Sequence, residues 1–249
     1  MENIEDDPTP MNMIQRRMRQ AEAQGLETAV NGEVMVCDPS GALYAPSERV
    51  LVVSDLHLEK GAAFARRGMF LPPYDTAATL SLLEAAIARY EPRCIVALGD
   101  SFHDRNGAAL MPDEPRDRLK ALMTGRDWIW ITGNHDPEPP ADLGGFCAEE
   151  VAIGAWVLRH EPTPGPRAGE IAGHLHPVAK VSGNGRSVRG PCFASDGARM
   201  IMPSFGVTTG GLNVLSPPFD GLFDLGRARA HVIGVSRIYP IPFAALCRS

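Results

Sequence analysis

The chain changes its hydrophobic rhythm once. Up to Gly154, apolar strand-like runs alternate with segments of helical period; beyond it, short strand candidates follow one another between Gly and Pro turns. In the first part EVMVCD and ALYA, around Pro39, Ser40 and Gly41, read as a hairpin, and VLVVSD reads as a buried strand. From Asp75, DTAATLSLLEAAIARY sets Leu80, Leu83 and Ile87 on one helical face, with Asp75 as the expected N-cap. CIVALGD, DEPRDRLKALM and WIWITGNHD continue as strand, helix and strand, an order that implies parallel pairing. The second part supplies AWVLRH, EIAGHLH, SVRGPCFA, RMIMPS, ARAHVIGV and RIYPI as strands.

Residues 1–27 stand outside this rhythm. Acidic residues, Pro10 and the cluster Arg16, Arg17, Arg19 suit a mobile arm or one surface helix, so the expected organisation is an arm over 1–27, outside the core, and one domain over 28–249. A chain of 249 residues with 44% hydrophobic and 22% charged residues can bury one substantial core. Its net charge of -6 argues against a surface that grips nucleic acid as a whole and leaves room for a local basic patch. Cys37, Cys94, Cys147, Cys192 and Cys247 are widely spaced, with no C-x-x-C pair, and fit reduced thiols. With neither a secretory pattern at the N-terminus nor a run of ~20 apolar residues for a membrane span, a cytoplasmic protein is expected.

Candidate chemistry concentrates in loops. Every histidine except His231 follows an apolar strand candidate, and loops at the carboxyl ends of strands in an open α/β sheet gather along one edge. The segments are SDLH (Asp55, His57), GDSFHD (Asp100, His103, Asp104), GNHD (Asn134, His135, Asp136), RHEP (His160) and GHLH (His174, His176). In D-x-H and H-x-H both side chains share a side if strand geometry continues, so each pair could hold one metal or share two adjacent ones. Carboxylate, amide and imidazole donors suit Mn, Fe, Zn or Ni better than Ca. Gly99, Gly133 and Gly173 would let the chain turn sharply before the ligands. A single such motif is weak, because a histidine after a strand is more often a hydrogen-bonded surface or core residue; five in this order point to a site. His231, in AHVIGV without a partner motif, reads as structural.

D-x-H, G-D-x-x-[HD], G-N-H-[DE], H and G-H-x-H, in order over about residues 50–210, resemble the calcineurin-like metallophosphoesterase superfamily. The resemblance implies an α/β fold, a four-layer α-β-β-α sandwich of two mixed sheets, and two divalent metal ions, Mn foremost with Fe, Zn or Ni as alternatives. It implies that Asp55, His57 and His176 bind the first metal, that Asn134, His160 and His174 bind the second, that Asp100 bridges both, and that His135 sits beside the substrate phosphate. Two cations ~3.5–4 Å apart provide a metal-bound hydroxide for in-line attack, and an imidazole can protonate the leaving oxygen, so His135 and Asp100 are the expected catalytic residues. His103, Asp104 and Asp136 are expected to support the ligands, Asp136 by orienting His135 or capping a turn.

SDLHLEKG, LGDSFHD, ITGNHDP, RHEP, AGHLHP and PSFGVTTGGLN look, more narrowly, like the bacterial branch of ligase-associated DNA damage response endonucleases, over about residues 30–240. That likeness implies a Mn-dependent phosphoesterase acting on DNA in repair, with an ATP-dependent DNA ligase and a helicase as partners. Arg66, Arg67, Arg186 and Arg189 are then candidate phosphate-backbone contacts, ordinary solvated arginines being the alternative. Few aromatic residues interleave them, so a stacking platform for single strands is not visible. The same metal site would serve a phosphodiesterase or pyrophosphatase of small or lipid-linked nucleotides. A non-catalytic scaffold is the third reading, against which stands the presence of all seven expected ligands.

Overall fold

The computed structural model describes residues 10–66, 68–69, 74–104, 107–136, 142–183 and 186–248. In the first sheet β1 (Leu26–Val30), β2 (Glu33–Cys37), β3 (Leu43–Ala45) and β4 (Val50–Val53) pair antiparallel in that order. β5 (Cys94–Leu98), β6 (Asp127–Ile131) and β7 (Phe146–Ala148) then continue from β4 in parallel. Successive side chains of a strand point to opposite faces, so an all-apolar strand needs a core on each side. β4 has both: Val50 and Val52 enter one core, Leu51 and Val53 the other. β5 repeats the division, with Cys94, Val96 and Leu98 on one face and Ile95 and Ala97 on the other.

The helices are α1 (Pro10–Gln20), α2 (Lys60–Arg66), α3 (Asp75–Tyr90), α4 (Gly107–Leu110) and α5 (Asp113–Met123). Ile14, Leu80, Leu83, Ile87, Leu119 and Leu122 close the outer core of the first sheet. The second sheet contains β8 (Glu150–Ile153), β9 (Trp156–Arg159), β10 (Glu170–Ala172), β11 (Pro177–Gly183), β12 (Arg186–Ser195), β13 (Met200–Ile201) and β14 (Leu212–Asn213). Its order is β14-β11-β12-β13-β10-β9-β8, with β15 (Arg229–Ile233) on β12 and β16 (Ile238–Pro242) on β15. Leu158, Ile171, Phe193 and Met200 face the first sheet across the shared core. The fold is thus the expected sandwich of two mixed sheets with helices outside. Over the second sheet the outer cover is made by Phe219, Leu222, Phe223 and Phe243, from 3-10 turns and the loops around them.

Two expectations are corrected. Segment 1–27 was placed outside the core, yet Ile14 and Ala21 belong to it, Arg17 and Gln20 are buried, and β1 starts at Leu26. Half of the inward face of α1 is polar, which hides its period from a hydrophobicity reading; residues 1–9 lie outside the described residues. Asp75 is not the N-cap of α3 but its first helical residue, Tyr74 standing at the cap; the Asp75 carboxylate instead accepts the Gly61 N–H at 2.9 Å, tying α2 to α3. Among the described residues no helix is long and apolar enough to cross a membrane.

Candidate metal centre

The loops that follow β4, β5, β6, β9 and β10 carry the histidine and aspartate motifs. The first two are zipped together beyond their strands: the N–H groups of Asp55, His57 and Leu58 donate to the carbonyls of Gly99, Asp100 and Ser101 at 3.3, 2.9 and 2.9 Å. Asp55, His57, Asp100, His174 and His176 all have positive φ, between 43° and 66°, and are five of the nine non-glycine residues that do among the described residues. Holding a side-chain-bearing residue there costs of order 1–3 kcal/mol, so the surrounding fold imposes these conformations against local preference. The D-x-H and H-x-H pairs therefore do not continue strand alternation as expected. β10 ends at Ala172, and His174 and His176 turn into different clusters.

A clamp supports this distorted backbone. Ser204 Oγ donates to the Asp55 carbonyl at 2.8 Å, Gly206 N–H to the same oxygen at 3.1 Å, and Phe205 N–H to Ser54 O at 2.7 Å. Arg17, from α1, donates in turn to the carbonyls of Ser204 and Phe205 at 3.2 and 3.1 Å. Of the three glycines, only Gly99 has positive φ. At Gly133 and Gly173 the constraint is space: a Cβ there would collide with the Asp100 backbone nitrogen or with Ser54 Oγ.

Ligand atoms of Asp55, His57 and His176 lie within 4.8 Å of one another, as do those of Asp100, His160 and His174. Asn134 joins the second group, its Oδ1 2.9 Å from His160 Nε2 and 3.1 Å from His174 Nδ1. His160 Nδ1 faces the Leu98 carbonyl at 2.8 Å; a carbonyl only accepts, so Nδ1 carries a proton and, in the neutral imidazole, Nε2 a lone pair. That lone pair meets Asn134 Oδ1, His174 Nδ1 at 3.1 Å and Asp100 Oδ2 at 3.5 Å. One proton on His174 would satisfy a single contact; the rest are electron pairs turned toward each other, which a shared cation resolves.

The first group has the same character. Asp55 Oδ1 and His176 Nε2 are 3.1 Å apart, yet both are buried without an aligned hydrogen bond. Ligand atoms that share one ion through ~2.0–2.2 Å bonds stand at such separations. The other Asp55 oxygen is already taken, by Ser54 Oγ and by the His174 N–H at 3.0 Å. Burial alone would raise the Asp55 carboxyl, but His176, His160 and His57 outweigh it and hold it down at about 2. Burial pushes His57 down to about 3, leaving a neutral imidazole. Donors of this kind fit a pair of borderline divalent cations.

His135 is exposed at the rim, its N–H donating to Asp100 Oδ1 at 2.9 Å and its Nε2 3.9 Å from Asp100 Oδ2. The His103 ring packs against Phe64, His57 and His135, at centroid distances of 5.3, 5.8 and 5.7 Å. Asp136 does not orient His135: its Oδ2 accepts the N–H groups of Ser101 and Phe102 at 2.8 and 3.1 Å, fixing the loop after Asp100. Burial, with the charge of Asp100, pushes the Asp136 carboxyl up to about 7 against the pull of those N–H groups. Asp104 pairs with Arg66 at 3.0 Å. Arg189 is exposed and donates to the Gly211 carbonyl at 2.7 Å. Arg67 lies outside the described residues, and Arg186 is described only as the start of β12. Sequence reasoning gave no role at the site to Ser54, which adjoins Asp55, to Ser204, which lies within PSFGVTTGGLN, or to Arg17 of the N-terminal arginine cluster.

A family model for calcineurin-like phosphoesterases matches residues 48–191, a span that holds every residue of both clusters, and the chain belongs to that family. Membership makes it a hydrolase of phosphoester bonds in a metal-dependent family, and the two clusters are its candidate metal sites. Among solved structures, nuclease MPE from Pseudomonas putida is similar at 25% identity and a TM-score of 0.65, over 88% of this chain and 100% of that one. YfcE, a phosphoesterase from E. coli, matches at 20% identity and a TM-score of 0.36, over 66% of this chain and 83% of its own. No curated protein matches this sequence.

Proposed function

We propose that this protein is a dinuclear-metal phosphodiesterase that cleaves DNA. The observation that carries the reading is the meeting of ligand atoms from five remote loops, with His160 Nδ1 turned to the Leu98 carbonyl and Nε2 turned to Asn134, His174 and Asp100. In this reading Asp55, His57 and His176 would hold one cation and Asn134, His160 and His174 the other, with Asp100 offered to both; Mn would be preferred, with Fe, Zn or Ni able to replace it. When bound, two such cations supply an acidified water and neutralise charge on the phosphate oxygens.

The chain's own groups complete the chemistry. Asp55, held far below the usual carboxylate range, is a fixed anion at any working pH. Exposed His135, anchored through its backbone to Asp100, is placed to hydrogen-bond a phosphate oxygen and to give a proton to the leaving oxygen. Asp136 and the Ser204–Gly206 clamp keep the two ligand loops from relaxing. The two sheets act as one phosphoesterase domain, of which α1 is a part through Ile14 in the outer core. DNA as substrate draws support from the similarity to a nuclease over that chain's whole length.

The test compares defined single-stranded, double-stranded and gapped DNA with a cyclic nucleotide and a pyrophosphate-linked nucleotide, before and after chelation. Cleavage of DNA that stops with chelator and returns with Mn is expected. Hydrolysis that survives exhaustive metal removal, or that is confined to the small nucleotides, contradicts the proposal.

A further inference from the structure

Beside His176, between α1 and the loop that precedes β14, lies a cavity of about 160 Å³. Its lining includes the guanidinium groups of Arg16, Arg17 and Arg189 and contains no carboxylate, in a chain whose net charge is -6. Each of these arginines donates to backbone carbonyls, and none pairs with a carboxylate within 4.0 Å among the described residues. Four side-chain atoms on lining residues are buried without a partner: Arg17 Nη1, Gln20 Oε1, Thr209 Oγ1 and His176 Nε2, the last of them in the first ligand cluster. Gln20 is oriented, since its Nε2 donates to the Ile233 carbonyl at 3.1 Å and leaves Oε1 to accept. A buried guanidinium N–H and a buried hydroxyl without acceptors are uncommon in a settled interior, where such groups are satisfied by protein, water or ligand.

We propose that this cavity is a subsite for a second phosphate of a polynucleotide, next to the phosphate at the metal centre; the proposal rests on the phosphodiesterase reading above. The exposed Arg16 and Arg189 donate to the oxygens of a phosphodiester and neutralise it, with Arg17 in the wall of the cavity. His176 lines the cavity and belongs to the first ligand cluster, so the subsite opens onto the reacting phosphate. α1 thereby becomes part of substrate recognition through Arg16, while Arg17 braces the Ser204–Phe205 clamp with Nη2.

The experiment uses the full chain loaded with Mn and measures kcat/KM on a single-stranded oligonucleotide and on bis(p-nitrophenyl) phosphate, a diester with no second phosphate. Arg16→Ala/Arg189→Ala should lower the ratio of the two by about tenfold, through KM, and make the salt dependence of oligonucleotide binding shallower by about 1.4 in log–log slope, two single-strand contacts at ~0.7 each. Arg16→Lys/Arg189→Lys should restore most of the ratio. A ratio within about twofold of wild type, an equal loss on both substrates, or an unchanged salt slope overturns the subsite and indicates a cavity holding water only. Wild-type protein inactive on both diesters would instead remove the phosphodiesterase reading itself.

Discussion

Two groups of buried charge sit near opposite ends of β10, and they are built on opposite terms. At its start, Arg199 and Glu170, each 1% exposed, pair at 2.6 Å. Arg199 also donates to the carbonyls of Gly165, Leu222 and Thr163, and Glu170 accepts from the Thr163 N–H and hydroxyl. Charge is matched inside the chain, and of the side-chain donors and acceptors of this pair only Arg199 Nε lacks a hydrogen-bond partner. Beyond its end, His174 and His176 join Asp55, His57, Asp100, Asn134 and His160, where acceptor faces acceptor and the backbone is held at positive φ. A buried polar cluster that is complementary to itself is structural; one in which carboxylate, amide and imidazole acceptors converge is complementary to something else, here a pair of cations.

The largest effect expected from this contrast is catalytic. Asp100→Asn keeps the shape and an acceptor for the His135 N–H but removes the charge offered to both cations, so Mn-dependent diester hydrolysis should fall by more than about a thousandfold. Thermal unfolding followed by circular dichroism should change little in the same variant. The matched cluster should behave in the reverse manner: Arg199→Met leaves Glu170 buried without its partner and should cost about 3–5 kcal/mol in urea unfolding, while kcat of the folded fraction stays near wild type. Adding Glu170→Gln should recover much of that loss. Stability of Arg199→Met within ~1 kcal/mol of wild type would break the comparison from its structural side.

A smaller effect separates both clusters from a lone buried histidine. His231, in β15, is held down at about 4 by burial, helped by Arg229. An unfolded histidine titrates near ~6.5, so between those values the unfolded chain binds more protons and stability rises with pH; the contribution is complete above ~6.5 and is lost as pH falls toward 4. The loss amounts to about 3 kcal/mol at most. His231→Gln should flatten the pH dependence of urea unfolding in that interval, and a wild-type curve already flat there would contradict the assignment.

What could be read in the sequence follows from where each signal resides. The parallel strands β4, β5 and β6 and helices α3 and α5 were legible because apolar period alone specifies them. The ligand loops were legible because Asp, His and Asn recur after strands whose ends converge. β1, β7, β8 and β14 escaped, being edge strands with mixed burial such as the half-exposed LETAV, and β11 escaped because its burial fades along its length from Pro177 to Gly183. α1 escaped because Arg17 and Gln20 occupy its inward face, and their partners, the carbonyls of Ser204, Phe205 and Ile233, lie far along the chain. The partition of His174 and His176 between clusters was carried by the family resemblance alone: both have positive φ, and local spacing carries no trace of that.

The account turns on cations filling the gap between the two groups of lone pairs, and metal stoichiometry tests it most directly. Protein stripped with chelator, equilibrated with Mn and freed of excess by gel filtration should carry two equivalents per chain by plasma mass spectrometry, falling to one in Asn134→Ala and in His57→Ala. Wild-type protein that retains none, or that binds Mn equally well when both residues are replaced together, contradicts it.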